Sequence, residues 1–374
     1  MRWIVVVLIG CLPNVVQAES KVPAKKVPAK AARPQYSFGN ILIPGATADE
    51  PLRQAFSLPA AVKYLDDGAA AWTGKRKCVS CHTNGTYLEV RPSLSGLAGA
   101  PPHSMREFFC AQLDQLRTKK RAELLSGIKP TQIALIARGL AEWDLHVSRK
   151  LTPETDAALR TMFDVQAADG SFSNQDCWPP LESSSYHGTT VAALAAATAP
   201  GWLAGLSDSD DVLPKIEKLK SYLRQTEPAH DYARLCLLAA AARMDGLVTT
   251  KRREALMQTV WKHQHQDGGW SLRDFAVPES WGRGNRAAKL RAEPDFAAPA
   301  SDAYQTGLCV VVLREAGVPA DDERIQKAAR WLLRNQRESG RWWTRSLNTD
   351  SYHFISYSGS CYALLALSKC NLLP

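Results

Sequence analysis

The sequence predicts an all-α fold in which amphipathic helices alternate with helices that are apolar on every side. One helical face is traced by Ile325, Ala328, Ala329, Leu332 and Leu333. Apolar character is nearly continuous instead over residues 191–199, 235–242, 308–313 and 361–367. A helix that is apolar on all sides must be enclosed, so these segments form an inner layer wrapped by the amphipathic set. They lack the two-residue alternation that is typical of strands.

The alternation recurs at intervals of roughly 50 residues, which is typical of a repeat architecture. Inner helices are predicted to begin near Tyr87, Gln132, Tyr186, Tyr232, Tyr304 and Tyr357. An outer helix precedes each of them, at residues 51–70, 105–124, 153–167, 212–225, 251–265 and 323–337. Six such pairs would close into an α/α barrel, and no linker-like segment interrupts them. Residues 36–374 are therefore predicted to form one domain.

The loops between outer and inner helices share a pattern of glutamine, an acidic residue or serine, glycine and an aromatic residue. It occurs at residues 166–172, 266–270 and 336–342, with Phe172 in place of tryptophan in the first loop. The glycine permits a turn that other residues resist, and the acidic side chain can cap the next segment. These loops resemble those of the squalene–hopene cyclase and protein prenyltransferase superfamily, clearly over residues 150–374 and weakly over 50–150.

The resemblance implies an α6/α6 toroid whose inner helices enclose an apolar, isoprenoid-binding cavity. It implies candidate cavity-mouth groups at Tyr186, His187, Asp302, Tyr304 and His353. The catalytic residues of the family do not carry over. The run 208–211 has the letters of the cyclase acid motif, but it precedes an outer helix, where capping is the expected role. Tyr304 stands where the prenyltransferases have a zinc-binding cysteine, so catalytic residues are left unassigned.

The most specific motif is the pentad Cys78-Val79-Ser80-Cys81-His82. Two thiols at this spacing can each bond a haem vinyl group, and the adjacent histidine can bind the iron. The alternatives are a local Cys78–Cys81 disulfide and a metal half-site that includes His82. The pentad falls between the first outer and the first inner helix. The sequence thus predicts one covalent haem c per chain, in a loop around residues 74–90 of the toroid itself.

These features lead to the expectation of an exported c-type haem protein on a terpenoid-cyclase-like toroid. Its role would be electron transfer or redox chemistry linked to an isoprenoid or other apolar small molecule, with a redox partner protein of unknown identity. His103 and Met105 are the candidate distal iron ligands, and the haem edge is expected to form one site with the barrel mouth. The alternative is a non-redox isoprenoid-binding or cyclase-like protein in which Cys78–Cys81 is a structural disulfide. Enzymatic activity is left open.

The N-terminal residues predict export to the periplasm. Residues 1–18 have the positive charge, apolar segment and small final residue of a signal peptide. The residues before Cys11 faintly resemble a lipoprotein cleavage box, so lipid anchoring is an alternative. Residues 19–35 form a tether rich in lysine and proline.

The charge distribution argues against nucleic acid as a partner. Of the formal net charge of +9, residues 36–374 account for only +4, with 40 basic and 36 acidic side chains. The basic tether explains much of the rest and could contact an anionic membrane surface or the cell wall.

The remaining cysteines divide into two groups. Cys236, Cys309 and Cys361 lie a few residues into predicted inner helices and are expected to be small buried side chains. Cys110 and Cys177 could pair in an oxidising compartment, but the sequence does not decide this.

Overall fold

Residues 33–176 and 178–373 are described by a computed structural model, and helices make up most of this part of the chain. The strands β1 (Tyr36–Phe38) and β2 (Ile41–Ile43) form a short antiparallel hairpin. The prediction of an all-α protein is confirmed. The predicted signal peptide and the tether up to residue 32 lie outside the described residues. Residues Arg33–Pro374 form one compact unit.

The helices follow the predicted order of outer and inner segments. In the described part of the chain they are α1 (Leu58–Arg76), α2 (Thr86–Val90), α3 (Ser95–Ala98), α4 (His103–Arg117), α5 (Arg121–Leu124), α6 (Lys129–Trp143), α7 (Pro153–Asp164), α8 (Ser185–Thr198), α9 (Trp202–Gly205), α10 (Leu213–Gln225), α11 (Asp231–Arg243), α12 (Thr250–Lys262), α13 (Ala287–Arg291), α14 (Ala303–Glu315), α15 (Glu323–Arg334) and α16 (Ile355–Lys369). Single turns of 3₁₀ helix occur at Arg91–Leu94 and Leu272–Phe275, and π-helical turns occur at Cys81–Gly85 and Asp144–Ser148. Pro278–Gly284 is a 3₁₀ segment that is kinked at Trp281–Arg283.

Six helices, α2, α6, α8, α11, α14 and α16, form an inner layer. Each predicted inner-helix start lies within the first residues of one of them. Burial is nearly complete along α16, where every residue from Ile355 to Leu367 is buried. Each inner helix contacts the next one along the chain, and α16 contacts α2. The inner layer therefore runs from the end of the chain back to its beginning.

The outer helices α1, α4, α7, α10, α12 and α15 each bury one face. In α15 this face consists of Ile325, Ala328, Ala329 and Leu332, as the periodicity predicts. Thr152 is the N-cap of α7 and Pro153 its first residue, because proline lacks the N–H that a helix leaves unpaired there. No helix in the described residues is both long and apolar enough to span a bilayer.

Three of the outer–inner loops share one hydrogen-bond scheme. In each loop the glutamine Nε2 donates to the carbonyl oxygen of the loop glycine and to a carbonyl oxygen at the start of the next outer helix. The pairs are Gln166 with Gly170 and Lys215, Gln264 with Gly268 and Arg324, and Gln336 with Gly340 and Ser57. In the second loop the glutamine that makes these bonds is Gln264. The sequence pattern instead begins at Gln266. Each loop thereby joins its own helix pair to the next pair.

The aromatic residue of each loop is anchored to the inner helix that follows. The backbone N–H groups of Phe172, Trp270 and Trp342 donate to the hydroxyls of Thr189, Thr306 and Ser360 at 3.0, 2.9 and 2.9 Å. Trp270 and Trp342 also donate Nε1 to the preceding outer helix, at the carbonyl oxygens of Val260 and Leu332. The loops therefore fix the distance between the outer and inner layers.

The N-terminal segment fastens the last loop to the first helix pair. The Arg341 guanidinium bonds to the Glu50 carboxylate at 2.6 Å, and to the carbonyl oxygens of Pro44 and Gly45 at 2.8 and 2.9 Å. It also bonds to Oε1 of Gln35, which is itself buried and accepts from the Tyr64 hydroxyl. Because Arg341 is only 3% exposed, these contacts are needed to compensate its buried charge.

Candidate functional site

The Cys78–His82 pentad lies between α1 and α2, in the loop where the sequence places it. Side chains from outside the pentad bond to its carbonyl oxygens. The donors are Asn84 to Cys78, Gln132 to Val79, Thr86 to Cys81 and Ser358 to His82, at 3.0, 3.1, 2.5 and 3.1 Å. Since Gln132 belongs to α6 and Ser358 to α16, the loop is held by the neighbouring inner helices on both sides.

The His82 imidazole is enclosed by aromatic rings. It stacks on Phe354 at a centroid distance of 4.7 Å with an interplanar angle of 9°, and it meets Trp72 edge-on at 4.7 Å. Trp178 lies 5.5 Å away, and the Thr83 hydroxyl is 2.8 Å from Nδ1. Burial lowers the pKa of His82 to about 3, so the ring is neutral near pH 7.

The donor set of two thiols and one imidazole is of the right type for haem attachment. Cys78 is a half-buried free thiol, so the alternative Cys78–Cys81 disulfide is not formed. Burial raises the pKa of the Cys78 thiol. No group of three or more histidine, cysteine, aspartate or glutamate side chains in the described residues is arranged to hold a metal ion, so His82 has no such set around it. Covalent haem at Cys78, Cys81 and His82 stays a prediction of the sequence.

The predicted distal ligands, Met105 and His103, make other contacts in the structure. Met105 is buried, and its Sδ accepts from the Thr73 hydroxyl at 3.6 Å. His103 is the first residue of α4, and its ring packs against Trp143 at 5.3 Å. Neither residue is among the ring neighbours of His82 within the described chain.

A central cavity lies between the inner helices. The empty space between its lining atoms is about 810 Å³, and this volume includes space that is open to solvent. Every inner helix contributes to the wall, for example through Thr86, Leu135, Val191, Leu235, Leu308 and Leu365. Leu181, from the loop before α8, also lines the cavity, as does Cys81 of the pentad. Leucine, valine and alanine side chains form the aliphatic part of the wall, and polar side chains lie among them.

The polar groups of this cavity form two hydrogen-bonded sets. The hydroxyls of Tyr232 and Tyr304 are 2.7 Å apart. The Tyr362 hydroxyl donates to Oε1 of Glu89 at 3.1 Å, and the Arg138 guanidinium pairs with the same oxygen at 3.1 Å. Oε2 of Glu89 accepts no hydrogen bond from the described residues, so it is available to a ligand.

The C-terminal ends of four inner helices meet in a buried ion network. Arg243 of α11 pairs with Glu142 of α6 at 2.5 Å and with Glu315 of α14 at 2.6 Å. Lys369 of α16 pairs with Glu315 at 2.9 Å. Burial alone would raise the pKa of Glu142, but Arg243, His146 and Arg138 outweigh it and hold that pKa well below its usual value. The same balance, led by Arg243 and Lys369, lowers the pKa of Glu315.

Only part of the predicted cavity mouth lines the cavity. Tyr304 and His187 do so, together with Cys81. Burial lowers the pKa of His187 to about 4, and its Nδ1 has no hydrogen-bond partner. The Tyr186 hydroxyl is likewise buried without a partner, but its ring faces Tyr222 at 6.1 Å and is not part of the cavity wall.

Asp302 and His353 serve the backbone. Asp302 is the N-cap of α14, and its carboxylate accepts from the N–H groups of Gln305 and Leu272 at 2.9 and 2.7 Å. His353 Nδ1 accepts from the N–H of Ser346 at 3.1 Å. In the structure both side chains hold backbone N–H groups. Asp210, in the run that resembles a cyclase acid motif, accepts from the N–H of Val212 just before α10 and pairs with the Arg160 guanidinium at 2.9 Å. The α10 N-terminus has no side-chain capping bond, so the expected capping role is not seen in the structure.

Several cavity residues are not among those predicted from the sequence. They are Glu89, Arg138, Arg243, Glu315 and Tyr362. Glu142, which pairs with Arg243, was not predicted either. The signal that could have found them is a buried charged residue in the apolar stretch of an inner helix, as Arg138 and Glu142 are within α6. The buried cysteines Cys236, Cys309 and Cys361 agree with expectation. Cys110 is a free thiol, and Cys177 lies outside the described residues.

Comparison with known proteins identifies the fold but not a family. The chain matches no protein-family model and no curated protein. Among solved structures, a tyrosine-to-phenylalanine variant of a glycosidase aligns with a TM-score of 0.50 and 13% identity, covering 78% of this chain and 87% of that chain. The wild-type glycosidase and a glutamate-to-alanine variant align over the same shares, each with a TM-score of 0.49 and 12% identity. The alignment with the tyrosine-to-phenylalanine variant shows a shared fold.

The comparison corrects the function expected from the pentad. The solved structure that aligns with a TM-score of 0.50 is named a glycosidase, not a cytochrome or a terpenoid cyclase. The prediction of a haem protein that transfers electrons is therefore wrong, and so is its alternative, an isoprenoid-binding protein with a Cys78–Cys81 disulfide. A glycoside hydrolase-like helical fold takes its place.

Proposed function

We propose that the six helix pairs close into an α6/α6 toroid. The contacts between successive inner helices, and between α16 and α2, support a closed ring. The bonds of Gln336 to Ser57 support closure of the outer layer, because they join the last loop to the first outer helix. The loop pattern of the cyclase and prenyltransferase superfamily agrees with the same architecture.

We further propose that the central cavity binds a sugar or a glycoside. The observation that carries this proposal is the polar set of Glu89, Arg138 and Tyr362 next to the aliphatic side chains of the cavity wall. A sugar ring presents C–H faces to apolar and aromatic side chains, and hydroxyls to a small number of fixed polar groups. Oε2 of Glu89 and the hydroxyls of Tyr232 and Tyr304 are suited to such hydroxyls. The glycosidases of the same fold suggest the same ligand class.

The carboxylates of the cavity favour binding over hydrolysis. Hydrolysis of a glycosidic bond requires one carboxyl group that stays protonated near neutral pH and a second that is ionised. Glu142 and Glu315 have lowered pKa values, because Arg243 lies between them. Glu89 is paired with Arg138. Glu315 in the cavity wall and Glu142 behind Arg243 are therefore charge partners, not proton donors. Glu89 is placed as a hydrogen-bond acceptor.

The proposal is tested with the full chain and a panel of mono- and disaccharides and their p-nitrophenyl glycosides. Calorimetry should detect binding of at least one sugar, and p-nitrophenol release should stay at the uncatalysed rate. Glu89→Gln and Tyr362→Phe should each weaken binding by at least about tenfold, which corresponds to about 1.4 kcal/mol.

Glu217→Gln, which changes an exposed glutamate of α10, serves as the matched control and should leave binding unchanged. Binding that is unaffected by Glu89→Gln and Tyr362→Phe would refute the cavity as the site. Rapid hydrolysis that depends on Glu89 would refute binding without turnover.

We also propose that the protein is exported to the periplasm, on the strength of residues 1–18. Fractionation of cells that express the full chain should recover it with periplasmic proteins. Recovery in the cytoplasm with residues 1–18 still attached would contradict export.

A further inference from the structure

A second cluster of reactive side chains lies in the loop between α12 and α14, away from the central cavity. The Ser301 hydroxyl is 3.0 Å from Nδ1 of His265, and Nε2 of the same ring is 2.7 Å from the Asp274 carboxylate. Both distances are within the range that links a nucleophile, its base and the group that orients the base. The side chains of His265 and Asp274 are 29% and 26% exposed, so a small molecule can reach them.

The turn itself does not require the imidazole. The equivalent loops have Ala167 and Arg337 at the position of His265. The same backbone hydrogen bond crosses the turn in all three loops, from Ala167 to Ser171, from His265 to Gly269 and from Arg337 to Arg341. In the first loop the carboxylate of Asp169 accepts from the Ser171 hydroxyl at 2.7 Å, just as Asp267 accepts from Ser301 at 2.8 Å. The serine–aspartate contact is thus a repeated structural feature, whereas His265 and Asp274 are additions specific to this loop.

We propose that Ser301 and His265 are the nucleophile and base of an acyl-transfer site that accepts small carboxylic esters, with Asp274 as the positioning residue. With Nε2–H donating to Asp274, Nδ1 of His265 is left as a proton acceptor that faces Ser301. Ser301 Oγ attacks the ester carbonyl carbon, and its proton passes to Nδ1. The alcohol leaves with that proton, and water then hydrolyses the acyl-serine ester and regenerates the hydroxyl.

Asp274 keeps the imidazole in this tautomer and balances its charge once it is protonated. The second acceptor of the Ser301 hydroxyl, Asp267, is also bonded to the N–H of Gly269 and to Nε1 of Trp331, at 2.9 Å each. Asp267 therefore holds the loop, and His265 is the partner whose remaining nitrogen can carry the proton away.

A fluorophosphonate probe and peptide mass spectrometry on the full chain test the proposal, because the probe phosphonylates an activated serine and releases fluoride. Ser301 should be labelled. His265→Ala should slow labelling by at least about 100-fold, as expected for loss of a general base, and Asp274→Asn should slow it in the same direction. p-Nitrophenyl acetate hydrolysis should disappear in Ser301→Ala.

Ser171 is an internal control, since it has the same aspartate contact but no imidazole. His265→Ala should fold, because alanine already occupies this position in the first loop, and circular dichroism checks this. Absence of label on Ser301, labelling no faster than on Ser171, or an unchanged rate in folded His265→Ala would each overturn the proposal.

Discussion

The side-chain amide of Gln336 bonds to both backbone groups of Ser57. Its Nε2 donates to the carbonyl oxygen at 3.0 Å, and its Oε1 accepts from the N–H at 2.7 Å. These residues are 279 positions apart, so the contact joins the last loop of the chain to the N-cap of the first outer helix.

Replacing Gln336 should therefore be costly. Gln336→Leu removes three hydrogen bonds in a place that is 1% exposed. The N–H of Ser57 and the carbonyl oxygen of Gly340 lose their partner, while the carbonyl oxygen of Ser57 keeps its bond from the Ala61 N–H. We expect a loss of about 2–4 kcal/mol in the free energy of unfolding, measured by chemical denaturation. Gln326→Leu, which removes one bond to Ala320 at a half-buried position, should cost about 1 kcal/mol or less. Equal losses in the two variants would contradict the special role of this contact.

Gly340 should tolerate no side chain. Its φ is +91°, and an added Cβ would lie 2.2 Å from the carbonyl oxygen of Ala60 in α1. Gly317 has a φ of +102° and open space around it. Both glycine-to-alanine changes place alanine at positive φ, which costs about 1–2 kcal/mol, but only Gly340→Ala must also displace α1. Thermal denaturation should show a clearly larger loss for Gly340→Ala, and a similar loss for both would mean that the contact with α1 is unimportant.

The ion network at the ends of the inner helices should be sensitive to removal of its central cation. Arg243→Met leaves Glu142 buried without its main partner, so we expect a loss of about 3–5 kcal/mol. Arg224→Met removes an exposed arginine near Glu217 at the end of α10 and should cost less than about 1 kcal/mol. Urea denaturation of both variants provides the comparison. A loss below 1 kcal/mol for Arg243→Met would show that the network is not needed for stability.

Stability should fall as the pH drops below 6.5. Burial lowers the pKa of His187, His230 and His353 to about 4 and that of His82 to about 3, from an ordinary value of 6.5. Between these values the unfolded chain binds more protons than the folded one, so protonation favours unfolding. The lowered pKa values of Glu142 and Glu315 add a further loss below about pH 4.5.

This effect can be measured as the melting temperature between pH 8 and pH 4. The melting temperature should be constant above pH 6.5 and should decline below it. His187→Asn should make the decline shallower between pH 6.5 and pH 4. A melting temperature that rises as the pH falls through this range would contradict the burial of neutral imidazoles.

The helical layers can be predicted from the sequence, because a helix with one buried face has apolar residues at regular intervals. Tyr87, Gln132 and Tyr357 mark inner helices correctly, since the residues around them are apolar on every side. The hairpin of Tyr36–Phe38 and Ile41–Ile43 was not predicted, because strands of three residues leave too short a pattern.

The cavity could not be predicted in the same way. Periodicity indicates that Arg138 and Glu142 are buried, but not which partner each meets across the inner layer. Glu142 and Arg243 are 101 positions apart, and only the packed helices bring them together. The functional error has a similar cause, because five letters at Cys78–His82 specify possible ligands but not the fold that surrounds them.

The most direct test of the central claim is a crystal structure of the full chain with the sugar that binds best in calorimetry. The account predicts ligand density between the inner helices, with a sugar hydroxyl within hydrogen-bond distance of Oε2 of Glu89 and a C–H face against Tyr232 or Tyr304. An empty central cavity in crystals that hold the sugar elsewhere would contradict the account.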